Sequence, residues 1–174
     1  MSLYKHHSTE ILGQALLDNL SAMGREVRPI ALRHGADQFD PKGWYPQQTW
    51  LDILKAISQE ARIDLMALGQ RVAASLEIPM GAFSIQSSLD YIHQHYQRTH
   101  RNPDVVPHFE VEVLDTRLIK ITDHTPYPDD LQYGFIYGLF ERLMPFGAQL
   151  RVRYDEQACR RSDGADQSVY IVTW

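Results

Sequence analysis

The chain has 174 residues, 44% of them apolar and 22% charged, with a net charge of −5. These are ordinary values for one globular domain large enough to bury a core, and they exclude a disordered polymer. Basic residues form no sustained run, which argues against a nucleic-acid surface, and the single cysteine, Cys159, excludes a disulfide framework and a cysteine zinc site.

Residues 9–23 carry Leu12, Leu16, Leu20 and Met23 at helical spacing, and Gly24 stands where a helix would stop. The stretch 25–46, with three prolines and two glycines, reads as a connector whose Trp44 and Tyr45 pack onto the core. A second helix starts near Pro46 with Trp50, Ile53, Leu54 and Ile57 inward. Asp64 is placed to cap a third, with Leu65, Leu68, Val72 and Leu76 inward, and Pro79 and Gly81 break it. Ser87 or Ser88 would open a fourth helix that runs to about Thr99 and stops at RNPDVVP.

The pattern changes at Pro107. Phe109, Val111 and Val113 alternate with charges as a half-buried strand does, and RLIKIT returns after a tight turn at Asp115 and Thr116. Residues 129–144 read as an amphipathic helix through Leu131, Phe135, Leu139 and Leu143. Its Gly134 and Gly138 would let another backbone approach. AQLRVRYD and SVYIVTW close the chain as two more strands around a polar loop. Helices precede strands rather than alternating with them, so the fold class is α+β: four N-terminal helices, a β-hairpin, a helix and a second hairpin in one four-stranded antiparallel sheet. A single domain over 1–174 is expected, with an N-terminal helix and connector (1–45), a helical part (46–106) and a ββαββ part (107–174). No apolar run approaches the ~20 residues of a membrane span, and MSLYKHHSTE has no signal-peptide core, so a cytoplasmic address is expected.

The usual catalytic signatures are missing: no G-x-S-x-G elbow, P-loop, dinucleotide fingerprint or H-E-x-x-H. Cys159 beside Arg160 and Arg161 is a weak nucleophile candidate, and Asp129 with Asp130 reads as a pair complementing a helix N-terminus. An enzyme is therefore not expected. SSLDYIHQHYQRTH holds three histidines, but His93 and His95 stand about 160° apart around a helix and cannot share a metal. His93 follows Leu89 and Ile92 toward Tyr96 on the apolar stripe, and His95 is expected to face solvent.

Leu89, Asp90 and His93, then Pro107 and Phe109, then YGFIYGLFERLM, together resemble the central part of heme nitric oxide/oxygen-binding (H-NOX) domains over about residues 85–155. In that family a helix with an N-L-D-x-[LI]-H-like pattern presents the proximal heme histidine, and P-x-F leads into a hairpin. The resemblance would make His93 the iron ligand, with Leu89, Tyr96, Phe109 and Phe135 around a ligand pocket. It also marks a departure. The family's propionate-gripping Y-x-S-x-R motif aligns with Asp123, Thr125 and Tyr127, which do not match it. The element order is similar to a wider superfamily containing 4-vinyl reductase-type domains and TRAPP subunits. There a C-terminal loop with two cysteines is familiar, and here Cys159 remains while Ser168 replaces the second.

What the resemblance implies is a sensory domain that binds a small apolar ligand or contacts a signalling protein, without a complete heme site and with no cofactor expected. The alternatives are a heme gas sensor ligated by His93, and a ligand-free module dimerising through the Gly134/Gly138 helix.

Overall fold

The computed structural model describes residues 9–61, 63–78, 85–102, 108–144 and 147–174, and the side chains of all of these except 85–89. The expected break at Pro79 and Gly81, the linker exit at Pro107 and the side chain of Leu89 lie outside that set.

Strand β1 (Glu10–Leu12) leads straight into helix α1 (Gly13–Met23), which stops at Gly24, whose positive φ of 108° favours glycine. Leu12 therefore ends a strand and does not start a helix. The stretch read as a connector is more ordered than its prolines suggest. It contains helix α2 (Arg28–Arg33) with Pro29 in its first turn, then a 3₁₀ turn over Ala36–Gln38. Strand β2 (Trp44–Pro46) follows and pairs antiparallel with β1. Tyr45 packs against the core, its ring edge-on to Phe39 at 4.8 Å.

Helix α3 (Gln47–Glu60) begins directly after Pro46 and buries Trp50, Ile53, Leu54 and Ile57, as its spacing predicts. Helix α4 (Leu65–Ser75) is capped by Asp64, whose Oδ1 accepts the Met66 N–H at 2.9 Å. Helix α5 (Ile85–Thr99) begins before Ser87 and Ser88, so neither serine opens it. It runs into β3 (His100–Arg101), which completes a small sheet in the order β2-β1-β3.

The second sheet has the order β4-β5-β7-β6 and is antiparallel throughout, with strands β4 (Phe109–Asp115), β5 (Leu118–Asp123), β6 (Arg151–Tyr154) and β7 (Ser168–Thr173). The hairpin turn falls at Thr116 and Arg117, one residue later than the expected Asp115 and Thr116, because Asp115 still pairs with Leu118. Val113, read as inward, is 69% exposed, because the edge strand β4 projects beyond the helix that covers the sheet centre. That helix is α6 (Asp129–Leu143). The architecture is thus the α+β order expected, with the two-residue to three-residue strands of the small sheet added.

Two apolar clusters result. One joins α1 to α4 around Leu16, Trp50, Leu54 and Leu68, and the other packs Ile136 and Phe140 of α6 onto Ile119, Ile121 and Tyr170 of the large sheet. Helices α4 and α6 link them through glycine. A methyl group on Gly134 would stand 1.9 Å from the Met66 carbonyl oxygen, and one on Gly69 would stand 2.0 Å from that of Leu131. The glycine face of α6 is thus occupied within the chain, and the expectation that Gly134 and Gly138 form a dimer contact is corrected. A Cβ on Gly138 would meet its nearest atoms at 3.0–3.1 Å, a milder clash. Gly134→Ala and Gly69→Ala should each cost about 3 kcal/mol or more, and Gly138→Ala distinctly less, measured by urea unfolding. Equal costs at the three sites would contradict the packing described.

Candidate functional site

A cavity of about 110 Å³ lies where α1, α4, α5 and α6 converge. Trp50, Leu131 and Phe135 form its apolar base, and Phe109 closes the sheet side. Helix α5 turns Ile92, His95, Tyr96 and Thr99 toward it. These positions follow i, i+3, i+4, i+7, one face of a helix. Tyr96, Phe109 and Phe135, expected in a pocket, all line the cavity. His93 does not. Its ring sits beside the stripe, with Nε2 3.0 Å from Gln97 Nε2 and the ring 5.8 Å from that of His108.

His95, expected in solvent, lines the cavity instead. The reason is geometric: on a helical wheel His93 and His95 flank the Ile92–Tyr96 line at about 80° on either side. The apolar stripe fixes the line but not which flank meets the cavity, and here it is the His95 side, which lines it together with Ala15 and Asn19 of α1. Desolvation, with Arg98 nearby, holds the basicity of His95 below that of a free imidazole, while Asp18 opposes both.

Beyond the cavity, α5 carries an aromatic column. The Tyr96 ring stacks on His100 at 3.6 Å, nearly parallel, and meets the His108 ring at 3.7 Å, tilted by 36°. His100 Nδ1 lies 3.1 Å from the Tyr96 carbonyl, which can only accept, so Nδ1 carries the proton. Nε2 then accepts from the Tyr127 hydroxyl at 2.8 Å. Burial pushes His100 down to about 3 and His108 down to about 4, so both are neutral at pH 7.

The three positions aligned with the propionate motif are all turned to internal use. Asp123 is fully buried, and its Oδ1 accepts the Thr125 N–H at 2.8 Å. Thr125 Oγ1 accepts from Gln132 Nε2 at 2.6 Å, and Tyr127 binds His100. Arg161, 4% exposed, joins this segment to the C-terminal loop. It donates to Asp129 Oδ1 at 3.0 Å, to the Tyr127 carbonyl at 3.1 Å and to the Asp123 carbonyl at 2.6 Å. Asp129 also accepts from Ser168 Oγ at 2.6 Å and the Ser162 N–H at 2.9 Å. Asp129 stands in the first turn of α6, as expected of a helix-end acid, and is in addition the buried counter-ion of Arg161. Burial raises Asp123 to about 6, outweighing the opposing pull of Arg161.

Nothing in EQACRRSDGADQ distinguishes Arg161 from a surface arginine, and sequence reasoning missed it. Arg160 lies over the Tyr154 ring at 3.9 Å, so both arginines after the exposed Cys159 are engaged elsewhere. Among the described residues no cluster of three histidine, cysteine or acidic side chains could hold a metal ion, and no helix is long and apolar enough to cross a membrane.

The geometry also bears on heme. The cavity is smaller than the ~300–1,000 Å³ of ordinary ligand pockets, and the porphyrin is larger than most ligands. His93 stands outside it, and a buried carboxylate occupies a position where a propionate would need a donor.

No family model matches the chain, and no curated protein matches its sequence. Solved structures do resemble it. An H-NOX protein from S. oneidensis in the Fe(II)NO state matches with a TM-score of 0.61 at 16% identity, over 91% of this chain and 97% of that one. An unliganded Fe(II) H-NOX protein from K. algicida matches at 0.58 and 14% identity, over 94% and 96%. The H-NOX domain from Shewanella woodyi, bound to IWP-051 in the Fe(II)CO state, matches at 0.57 and 16% identity, over 94% of each chain. The fold is therefore H-NOX-like over nearly the whole chain.

Two outcomes test the buried network. Arg161→Leu strands two buried carboxylates and should cost about 3–5 kcal/mol in urea unfolding; a loss below 1 kcal/mol would show that the pair contributes little. The pH dependence has a definite sign. His100 and His108 are depressed below the free value near 6.5, so their stabilisation is present above it and lost on acidification. Asp123 is raised above 3.8, so acidification from 6 toward 4 adds stability. Between pH 6 and 4.5 two imidazoles oppose one carboxyl, and His95 sides with the imidazoles. Stability should fall by at least about 1.4 kcal/mol per pH unit in that window. A profile that rises on acidification would overturn the assignment.

Proposed function

We propose that this chain is a small-molecule-binding sensory domain that uses the H-NOX-like fold without a heme. One observation carries the reading: the interior face of α5 presents His95, Tyr96 and Thr99 to a cavity of about 110 Å³, while the histidine aligned with the iron ligand, His93, lies outside it. The volume is of the same order as the ~150 Å³ engineered cavity that takes up benzene in another protein. The occupant is then a single ring or a short branched chain.

The physical logic supports a binding role over catalysis. The cavity walls are mostly apolar, which favours partition of a small apolar body out of water. The neutral histidines beside it supply neither a strong base nor a fixed charge at pH 7. The charged groups of the neighbourhood, Arg161, Asp123 and Asp129, are paired with one another. Ligand occupancy is read out through the residues that touch both regions. Tyr127 lines the cavity, binds His100 and gives its carbonyl to Arg161, whose loop carries the exposed Cys159.

The test is spectroscopic. Protein purified with added hemin should show no Soret band, and toluene should raise its melting temperature and perturb Trp50 fluorescence. A stoichiometric Soret band lost in His93→Ala would establish the heme sensor instead. Failure of every single-ring compound to bind would remove the small-molecule reading.

A further inference from the structure

The cavity's polar lining divides into groups already engaged and groups that are not. Tyr96 accepts from Gln47 Nε2 at 3.2 Å on its hydroxyl, and Thr99 Oγ1 donates to the His95 carbonyl at 2.9 Å. His100 and Tyr127 bind each other, and Gln132 donates to Thr125. Each of these side chains has a protein partner that a ligand would have to displace. Asn19 on α1 and His95 on α5 are different. Both line the cavity, and neither the Asn19 carboxamide nor the His95 ring hydrogen-bonds a described residue.

Both are half-buried, as are Thr99, Phe109 and Phe135 of the same lining, whereas Trp50, Leu131 and Tyr96 are buried. The unengaged polar groups therefore belong to the half-buried part of the lining, and the fully buried part is mostly apolar. That layout suits an amphipathic occupant, apolar end against the buried part and polar end toward Asn19 and His95.

We infer that Asn19 and His95 select the ligand's head group, and that the ligand is an uncharged molecule of single-ring size carrying one hydroxyl or carboxamide. The inference rests on the small-molecule reading above and specifies its chemistry. The head must both donate and accept, because a carboxamide offers both and a neutral imidazole offers one of each. A carboxylate head is disfavoured: among the described residues no lysine or arginine lines the cavity, and burial lowers the basicity of His95, which favours the uncharged ring. A purely apolar ligand would fill the base but leave the two groups to water.

Titration calorimetry on the full chain with toluene, benzyl alcohol, benzamide and benzoate tests this. Benzyl alcohol and benzamide should bind about tenfold more tightly than toluene, the scale of one net hydrogen bond, and benzoate more weakly than either. Asn19→Leu and His95→Leu should each bring the alcohol down to the toluene level without weakening toluene. His95→Gln, which keeps a donor and an acceptor, should restore most of the preference, and this separates recognition from a loss of fold. Equal affinities for toluene and the alcohol, a preference that survives both leucine variants, or tightest binding of benzoate would each overturn the inference while leaving the cavity reading intact. If toluene too fails to bind, the cavity reading itself falls and takes the selector with it.

Discussion

Helices α4 and α6 meet backbone to backbone, with Gly69 against the Leu131 carbonyl and Gly134 against that of Met66. The rest of the molecule is arranged around this contact. Leu68 and Leu131 extend from it into the helical core, while Ala73, Ile136 and Phe140 extend into the core beneath the large sheet. Arg142 donates to the Leu76 carbonyl at 2.9 Å and satisfies an acceptor beyond the end of α4. A pair of helices at such short range leaves no space between them, so the remaining space in the helical layer is displaced toward α1 and α5. That is where the cavity lies.

The polar interior is organised by a second constraint, the need to neutralise what is buried. Arg161 is enclosed with Asp123 and Asp129 and compensates both buried acids. This cluster ties the segment 123–129 to the loop before β7, and Tyr127 continues the connection into the aromatic column of α5. The Ser168 hydroxyl bridges the Arg161 N–H and the Asp129 carboxylate, so the position aligned with a second cysteine serves the ion pair.

The sequence was a good guide wherever periodicity extended over two turns or more. The apolar stripes of α3, α4 and α6 were legible because each repeats often enough to exclude other readings, whereas the alternation of β4 identified the strand but not the exposure of Val113. The strands of the small sheet were not, since two or three residues carry no period, and their pairing joins positions as far apart as Glu10 and Arg101. The glycine face of α6 was recognised as a contact surface, but its partner could not be read, because a close approach looks the same whether it meets α4 or another molecule. At the site, Tyr96, Phe109 and Phe135 were placed by the resemblance. His95 was missed because it and His93 are equivalent on the wheel until one of them meets the cavity. Arg161 was missed because long-range charge pairing leaves no local signature.

The glycine contact also sets how the cavity would yield. A helix pair in backbone contact has no side-chain rotamers between its members to rearrange, so the α4/α6 wall is stiff. The opposite wall is built from Asn19, Met23, His95 and Thr99, side chains with torsions free to turn. The chamber is thus mechanically lopsided, like a vice with one fixed jaw. Any enlargement or contraction is expressed as displacement of α1 and α5, and α5 continues without a break into β3 of the small sheet.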